Sequence, residues 1–304
     1  MSKRISFLIV TWNSWRDLKR CVESILPNLE FDDELVVIDN GSSDDTVEKI
    51  EQSFGERVRL HCNEVNLGLP PAVNQGVAQT LGDYIMLLDV DTEIQSDAPA
   101  LLFEYMQQHP EAALIAPRIL TPEGKDEGTA RNLPSVMSGL FGRQSALTRL
   151  LPNNPFSRHY MALAQRSNSE PFLVEQVSAA CMFFRRELIE QAGPWDETYR
   201  CYWVDTDWCA RLRQLGKKVY CVPQAHVTHF ENNRAGKKKS AWRIWHFHTG
   251  AFRLYRKYYT WGWFDLRIPL VGILLLSRAL VMLLFNHFLS DKGENPSNKQ
   301  PRSA

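Results

Sequence analysis

The chain has 304 residues, enough for one large domain or two small ones with a sizeable core. Its 35 lysines and arginines balance 35 aspartates and glutamates, which removes the electrostatic case for a nucleic-acid partner. Six cysteines, Cys21, Cys62, Cys181, Cys201, Cys209 and Cys221, have no close paired spacing, so they read as reduced thiols and not as a disulfide frame or a zinc site.

The opening "MSKRISFLIVTWNS" is no secretory leader, because its apolar run is short and no small-residue cleavage site follows. A start in the cytosol is therefore expected. "ISFLIV" reads as a buried strand, and "SWRDLKRCVESIL" follows with apolar residues at helical spacing. "DELVVIDN" is a second strand that ends in the turn cluster "NGSSDD", and "TVEKIEQSF" is helical by period. "RVRLHCNE" is a third strand, "NLGLPPAVNQGVAQTL" a loop and then a helix, and "YIMLLDVD" a fourth strand. Alternation at this pace predicts a three-layer α/β domain with a parallel sheet. Ligands of such sheets bind outside the carboxyl ends of the strands. Thr11, Asn13, Asp39, Asn40, Asn66, Asp89 and Asp91 all fall at ends of that kind.

A helix ("APALLFEYMQQH") and a strand ("AALIAP") come next, then a polar, loop-rich stretch from about 121 to 173. A stretch this long in a compact domain is usually functional or mobile. The chain tightens again through "EQVSAACMFFRRELIEQAG", "PWDETY", "VDTDWCARLRQLG", "KKVYCVP" and "HVTHFENNR". Beyond residue 235 basic residues interleave with Trp, Tyr and Phe, and residues 268–285 form an apolar run long enough to matter for a membrane. Lys237, Lys238 and Lys239 suit anionic headgroups. Arg278 in mid-run costs about 2.5–3.5 kcal/mol at a bilayer centre, which favours a helix in the interface or packed on a partner.

The strand "YIMLLDVD" ends on two like charges one residue apart, Asp89 and Asp91. Each disfavours the ionised form of the other unless a cation or solvent intervenes. A hard divalent cation, Mg²⁺ or Mn²⁺, takes oxygen ligands and shares them with substrate phosphates. No Walker A loop and no GxGxxG after the first strand are present, which argues against a glycine-loop phosphate or dinucleotide site. Haloacid-dehalogenase phosphatases also carry DxD, as DxDx(T/V), but the last position is Glu93 here.

"SFLIVTWNS", "VVIDNGSSDDT", "NLGLPPAVNQG", "YIMLLDVD", "SAACMFFRRELIEQAGPWDE", "VDTDWCARLRQLGKKVYCVP" and "HVTHF" together resemble family 2 glycosyltransferases. They are most similar to the rhamnosyltransferase-like branch of bacterial surface-polysaccharide synthesis. The resemblance spans roughly residues 4–235 in family order. It implies a GT-A fold: an α/β domain with a mostly parallel central sheet and helices on both faces. Residues 1–98 would form the nucleotide-binding half and 99–235 the acceptor and catalytic half. Residues 236–289 would add membrane-associating helices and 290–304 a disordered tail. It further implies a nucleoside-diphosphate sugar donor (dTDP- or UDP-linked, with rhamnose suggested by the branch), a divalent metal, and inversion at the anomeric carbon. The acceptor would be a saccharide or a polyprenyl-linked sugar at the cytoplasmic side of the inner membrane, reached peripherally or through a single C-terminal anchor.

By position, the resemblance places Thr11 and Asn13 beside the nucleotide, Asp39 on the base, and Asn66, Gly68 and Asn74 along the nucleotide pocket. Asp89 faces ribose and metal, Asp91 ligates the metal with His229, and Asp205 is the catalytic base. Trp203 and Arg131 are acceptor candidates. The residues also admit plainer roles: Asp39 as a turn former, Asp205 and Asp207 as helix caps, His226 and His229 as strand-end histidines. One departure stands out. The family's acidic neighbour of the base is Val204 here. That admits an alternative of another class, a catalytically silent sugar-nucleotide-binding scaffold in a polysaccharide assembly complex.

Overall fold

The computed structural model describes residues 4–135, 150, 151, 153–162, 169–230 and 240–291. Lys237, Lys238 and Lys239, the tail from 292 and part of the stretch 121–173 lie outside the described residues. The chain divides into two compact units, 1–232 and 233–304.

The first unit alternates strands and helices: β1 (Ile5–Thr11), α1 (Trp15–Ile25), β2 (Glu34–Asp39), α2 (Thr46–Phe54), β3 (Arg59–Cys62), α3 (Leu69–Gln79) and β4 (Tyr84–Asp89). It continues with β5 (Thr92–Ile94), α4 (Ala98–Gln108), β6 (Ala112–Leu120), α5 (Pro155–Tyr160), β7 (Phe172–Val174), β8 (Cys181–Arg185), α6 (Glu187–Ala192), α7 (Val204–Gln214) and β9 (Lys218–His229). Among the described residues the strands form one sheet in the order β3-β2-β1-β4-β8-β6-β9-β5, with β7 on β9. The half made by β3, β2, β1 and β4 is parallel throughout. β8 then enters antiparallel to both β4 and β6, so the whole sheet is mixed.

The central strands β1, β2 and β4 are apolar on both faces because helices cover both. Phe7 and Ile9 of β1 pack in one core with Leu18, Val22 and Ile25 of α1, Ile50 and Phe54 of α2, and Leu102 and Met106 of α4. Leu8, between them, faces a second core with Val73 and Val77 of α3, Leu188 of α6, and Trp208 and Leu212 of α7. Burying each such side chain contributes about 1.5–3 kcal/mol. α3 lies close to the sheet because Gly76 carries no Cβ; one added there would sit 2.4 Å from Leu8 Cδ1. The six cysteines are free, and burial pushes the Cys21 thiol up to about 12.

Register sets the site. Thr11 pairs with Asp39, and Val10 with Asp89, so the carboxyl ends of β1, β2 and β4 lie in one row.

The second unit holds α8 (Ala241–Tyr258) and α9 (Arg267–Asp291). Ser240 caps α8 by accepting from the Arg243 backbone N–H at 3.2 Å. The two helices pack together, Phe252 lying against Gly272. The turn between them exposes Trp261 by 91% and Trp263 by 78%. Leu270, Ile273, Leu274, Leu280 and Leu284 line α9 in the open.

Candidate functional site

The first part of the site is a turn network at the ends of β1 and β2. Asp39 is buried, and its Oδ2 accepts from the Ser42 backbone N–H at 2.8 Å while Oδ1 accepts from Ser42 Oγ at 2.5 Å. The carboxylate therefore does form the turn, as its sequence context allows. Asn13 takes φ +48, and its Oδ1 accepts from the backbone N–H of Ser43 at 2.8 Å. Gly41 is required here. Its φ is +78, and an added Cβ would lie 2.5 Å from the Val65 carbonyl carbon. Asn40 joins the turn to the next loop. Its Nδ2 donates to Asn66 Oδ1 at 3.2 Å and to the Gly68 carbonyl at 3.1 Å. Asn66 Oδ1 also accepts from the Gly68 N–H at 2.9 Å, which fixes the chain as it enters α3. Thr11, Asn13, Asp39, Asn66 and Gly68 are thus held in one contiguous frame.

Asn74 is used differently. Its Oδ1 accepts from Trp195 N–H at 2.8 Å, and its Nδ2 donates to the Trp195 carbonyl and to Glu197 Oε1, each at 2.9 Å. Its amide thus ties α3 to the loop after α6.

The second part gathers the acidic strand end. The ladder between β4 and β8 continues to Asp89, whose N–H donates to the Ala180 carbonyl at 3.0 Å. Three residues on, the chain re-enters the sheet as β5. There it pairs antiparallel with the end of β9, Thr92 opposite His229. The Phe230 N–H donates to the Asp91 carbonyl at 2.8 Å. This pairing brings His229 beside two aspartates that precede it by more than a hundred residues. Asp89, Asp91 and His229 each offer one ligand atom, and these atoms lie within 4.8 Å of one another. Two carboxylates and one imidazole, all partly accessible, make an oxygen-rich donor set that fits Mn²⁺ or Mg²⁺.

The His229 ring touches carboxylates on both sides. Nε2 lies 3.2 Å from Asp91 Oδ1, and Nδ1 lies 3.0 Å from Glu127 Oε2. Burial alone would lower the pKa of the ring. Hydrogen bonds to Asp91 and Glu127, with the fields of Asp91 and Asp89, raise it to about 10. His226, by contrast, reaches only Gln95 Oε1, at 3.3 Å.

The third part is the start of α7. Trp203 is its N-cap in the left-handed region, at φ +74. That is an unusual conformation for a bulky residue, and such residues cluster at functional sites. Asp205 is the second residue of the helix and so is not its cap; its Oδ1 accepts from the Thr206 N–H at 2.8 Å, and the residue stays partly exposed. Asp207 is fully buried and does not cap either. It accepts from Tyr199 Oη at 3.3 Å and lies 3.2 Å from Arg211 Nε. Val204 packs in the second core at 1% exposure, so the departure from the acidic residue falls on a packing position. Arg131 pairs through its backbone with Gln176 and donates from Nη1 to Tyr160 Oη at 3.2 Å.

Two residues here escaped the sequence reading. Glu127 sits on a turn of low regularity, with its partner 102 residues away. Trp12 lies between Thr11 and Asn13 and is 52% exposed. An exposed aromatic flanked by two candidate site residues was the signal available for it.

Residues 6–193 match the family described as Glycosyl transferase family 2. An N-acetylglucosaminyl-diphospho-decaprenol L-rhamnosyltransferase of Mycobacterium tuberculosis is 27% identical over 293 residues, covering 93% of this chain and 94% of that one. A poly-beta-1,6-N-acetyl-D-glucosamine synthase of Staphylococcus epidermidis is 28% identical over 196 residues, 63% of this chain and 42% of that one. Among solved structures, GalNAc-T7 with UDP, GalNAc and Mn²⁺ shares the fold at a TM-score of 0.62 and 19% identity, over 83% of this chain and 47% of that one. The sheet and its helices on both faces accord with that GT-A architecture. The chain belongs to glycosyl transferase family 2 and is a glycosyltransferase.

Proposed function

We propose that the protein carries out metal-dependent, inverting transfer of a sugar from a nucleoside-diphosphate donor to a lipid-linked or saccharide acceptor at the cytoplasmic face of a membrane. The observation that carries this reading is the convergence of Asp89, Asp91 and His229 beside the turn frame of Asp39 and Asn66. Rhamnose from a dTDP donor is the first choice of sugar, supported by the rhamnosyltransferase that matches over 93% of the chain. A UDP-linked hexose is the second.

In this reading the nucleoside lies across the turn frame, with Asp39 and Asn13 near the base and Asn66 and Gly68 along its edge. Trp12 offers an exposed aromatic face on which a base can stack. Asn74 acts through the loop it fixes. Asp91 and His229 would hold the metal, with Asp89 toward the ribose; a divalent cation bound there would supply positive charge opposite the leaving diphosphate. Asp205 takes the proton from the acceptor hydroxyl as that oxygen attacks the anomeric carbon, which is general-base catalysis. Trp203, beside the base, walls the acceptor site. Arg131 is a cation suited to an acceptor phosphate.

The second unit supplies the membrane contact. Trp261, Trp263 and Phe264 stand exposed at the start of the long apolar helix α9, as side chains at a bilayer interface do.

A thermal-shift or calorimetric series tests the donor site. Its components are dTDP, UDP, their sugars, ATP and NAD, each with Mn²⁺ and with EDTA. A ligand that binds only the folded state raises apparent stability. The expected result is a shift with dTDP or UDP that EDTA abolishes, and a product anomer opposite to the donor's. Donor binding indifferent to EDTA would remove the metal from the mechanism. Donor binding without turnover on any acceptor would leave the silent scaffold.

A further inference from the structure

We propose that Glu127 is a positioning residue for the metal site: its carboxylate clamps the His229 ring so that Nε2 faces Asp89 and Asp91. The inference rests on the metal reading above. It starts from backbone geometry. The Glu127 N–H donates to the Ile119 carbonyl at 3.0 Å, and Leu120 bridges Asp126, so Glu127 sits at the root of a turn that closes β6. β6 runs parallel to β9, with Ile119 opposite Val227 and Leu120 opposite Thr228. That register sets Glu127 beside the end of β9, where His229 follows Thr228. The neighbouring Asp126 is occupied elsewhere: its Oδ1 accepts from the Gly128 N–H at 2.6 Å, and its Oδ2 lies 3.8 Å from Arg118 Nε.

The chemistry of the contact is one-directional. A carboxylate only accepts, so the Nδ1 that meets Glu127 Oε2 at 3.0 Å carries the hydrogen. Without a metal Nε2 donates to Asp91 in the same way, so Nε2 is the nitrogen whose proton a metal would displace, while Nδ1 stays held by Glu127. Nε2 lies 3.2 Å from Asp91 Oδ1, on the side of the acidic pair. The Glu127 side chain is only 9% exposed, so the contact is shielded from water. Three carboxylates thus converge on one imidazole, an arrangement of charge that a divalent cation completes. Partners of this kind fix ring orientation and ligand basicity, and losing one costs about 10–100-fold in metal affinity.

The test is Mn²⁺ affinity of the full chain, measured without donor by calorimetry or electron paramagnetic resonance. Four proteins are compared with wild type: Glu127→Ala, Glu127→Gln, His229→Ala and the double variant of Glu127→Ala with His229→Ala. Glu127→Ala is expected to weaken Mn²⁺ binding about 10–100-fold. Glu127→Gln, which keeps the shape and an acceptor oxygen, should fall between. In the His229→Ala background the Glu127 substitution should change nothing further, because the two residues act as one unit. Equal affinity of wild type and both Glu127 variants overturns the clamp. So does a Glu127→Ala loss that persists undiminished without His229, which would mark a merely structural effect. A wild type that binds no Mn²⁺ overturns the metal reading itself, and the clamp with it.

Discussion

In the proposed function single residues carry most of the chemistry, and two aspartates separate the halves of the site. Asp91 belongs to the cation group and Asp205 to the start of α7. Asp91→Ala should abolish the metal-dependent part of donor binding, whereas Asp205→Asn should bind donor as wild type does but lose turnover by about 100- to 10,000-fold. Parallel titrations of donor and measurements of kcat check this; an Asp205→Asn enzyme with kcat within threefold of wild type would unseat Asp205. Asp89 and Asp91 stood out as candidates because the DxD closes an apolar strand within one short window. Glu127 did not, because its meaning depends on a register between β6 and β9 that no local pattern encodes. Asp39 shows the converse: its turn-forming role was visible in "DNGSSDD", and the hydrogen bonds to Ser42 display it.

At the level of elements, the parallel half was legible because β1, β2 and β4 are apolar on both faces and each helix follows at a short, regular interval. The second half was less so. β5 and β7 have three residues each, too short to show a period, yet β5 is what draws Asp91 to His229. β9 reads in sequence as two fragments but is one strand of 12 residues, with a register shift against β6 between Pro117 and Arg118. Loops are as constrained as strands here. An added Cβ at Gly41 would meet the Val65 carbonyl carbon at 2.5 Å and the Asn66 nitrogen at 2.8 Å, at a φ of +78. Gly41→Ala should therefore cost about 1–3 kcal/mol of stability, read as a lower thermal midpoint. It should also weaken donor binding, because Asn66 must shift with Val65. Unchanged donor affinity in a destabilised Gly41→Ala protein would separate the turn frame from the nucleotide.

Over the whole molecule, the proposed function assigns the chemistry to the first unit and the membrane contact to the second. α9 is apolar along an 18-residue window in which few residues are buried, which suits it to lipid by composition. It packs on α8, which carries Arg243, Arg253, Arg256 and Lys257, and Arg278 interrupts its own run. Charges beside and within the helix disfavour a simple span, so the pair is read as lying in the interface. The full chain should float with vesicles containing anionic lipid. Joint replacement of Trp261, Trp263 and Phe264 by Ser should weaken that partition by about tenfold or more, since each loses buried apolar surface. Turnover on a water-soluble acceptor should be unaffected. Flotation equal to wild type would exclude the aromatic turn as the contact.

β9 is the last strand of its unit, and His229 is its final residue. During synthesis Asp89 and Asp91 emerge more than a hundred residues before His229, their third partner. Domains form from the N-terminus as the chain lengthens. A nascent chain halted before β9 would thus hold the acidic strand end and the turn frame without His229. The order of residues therefore works as a timer: in the metal-dependent reading, competence arrives only when nearly all of the catalytic unit has left the ribosome.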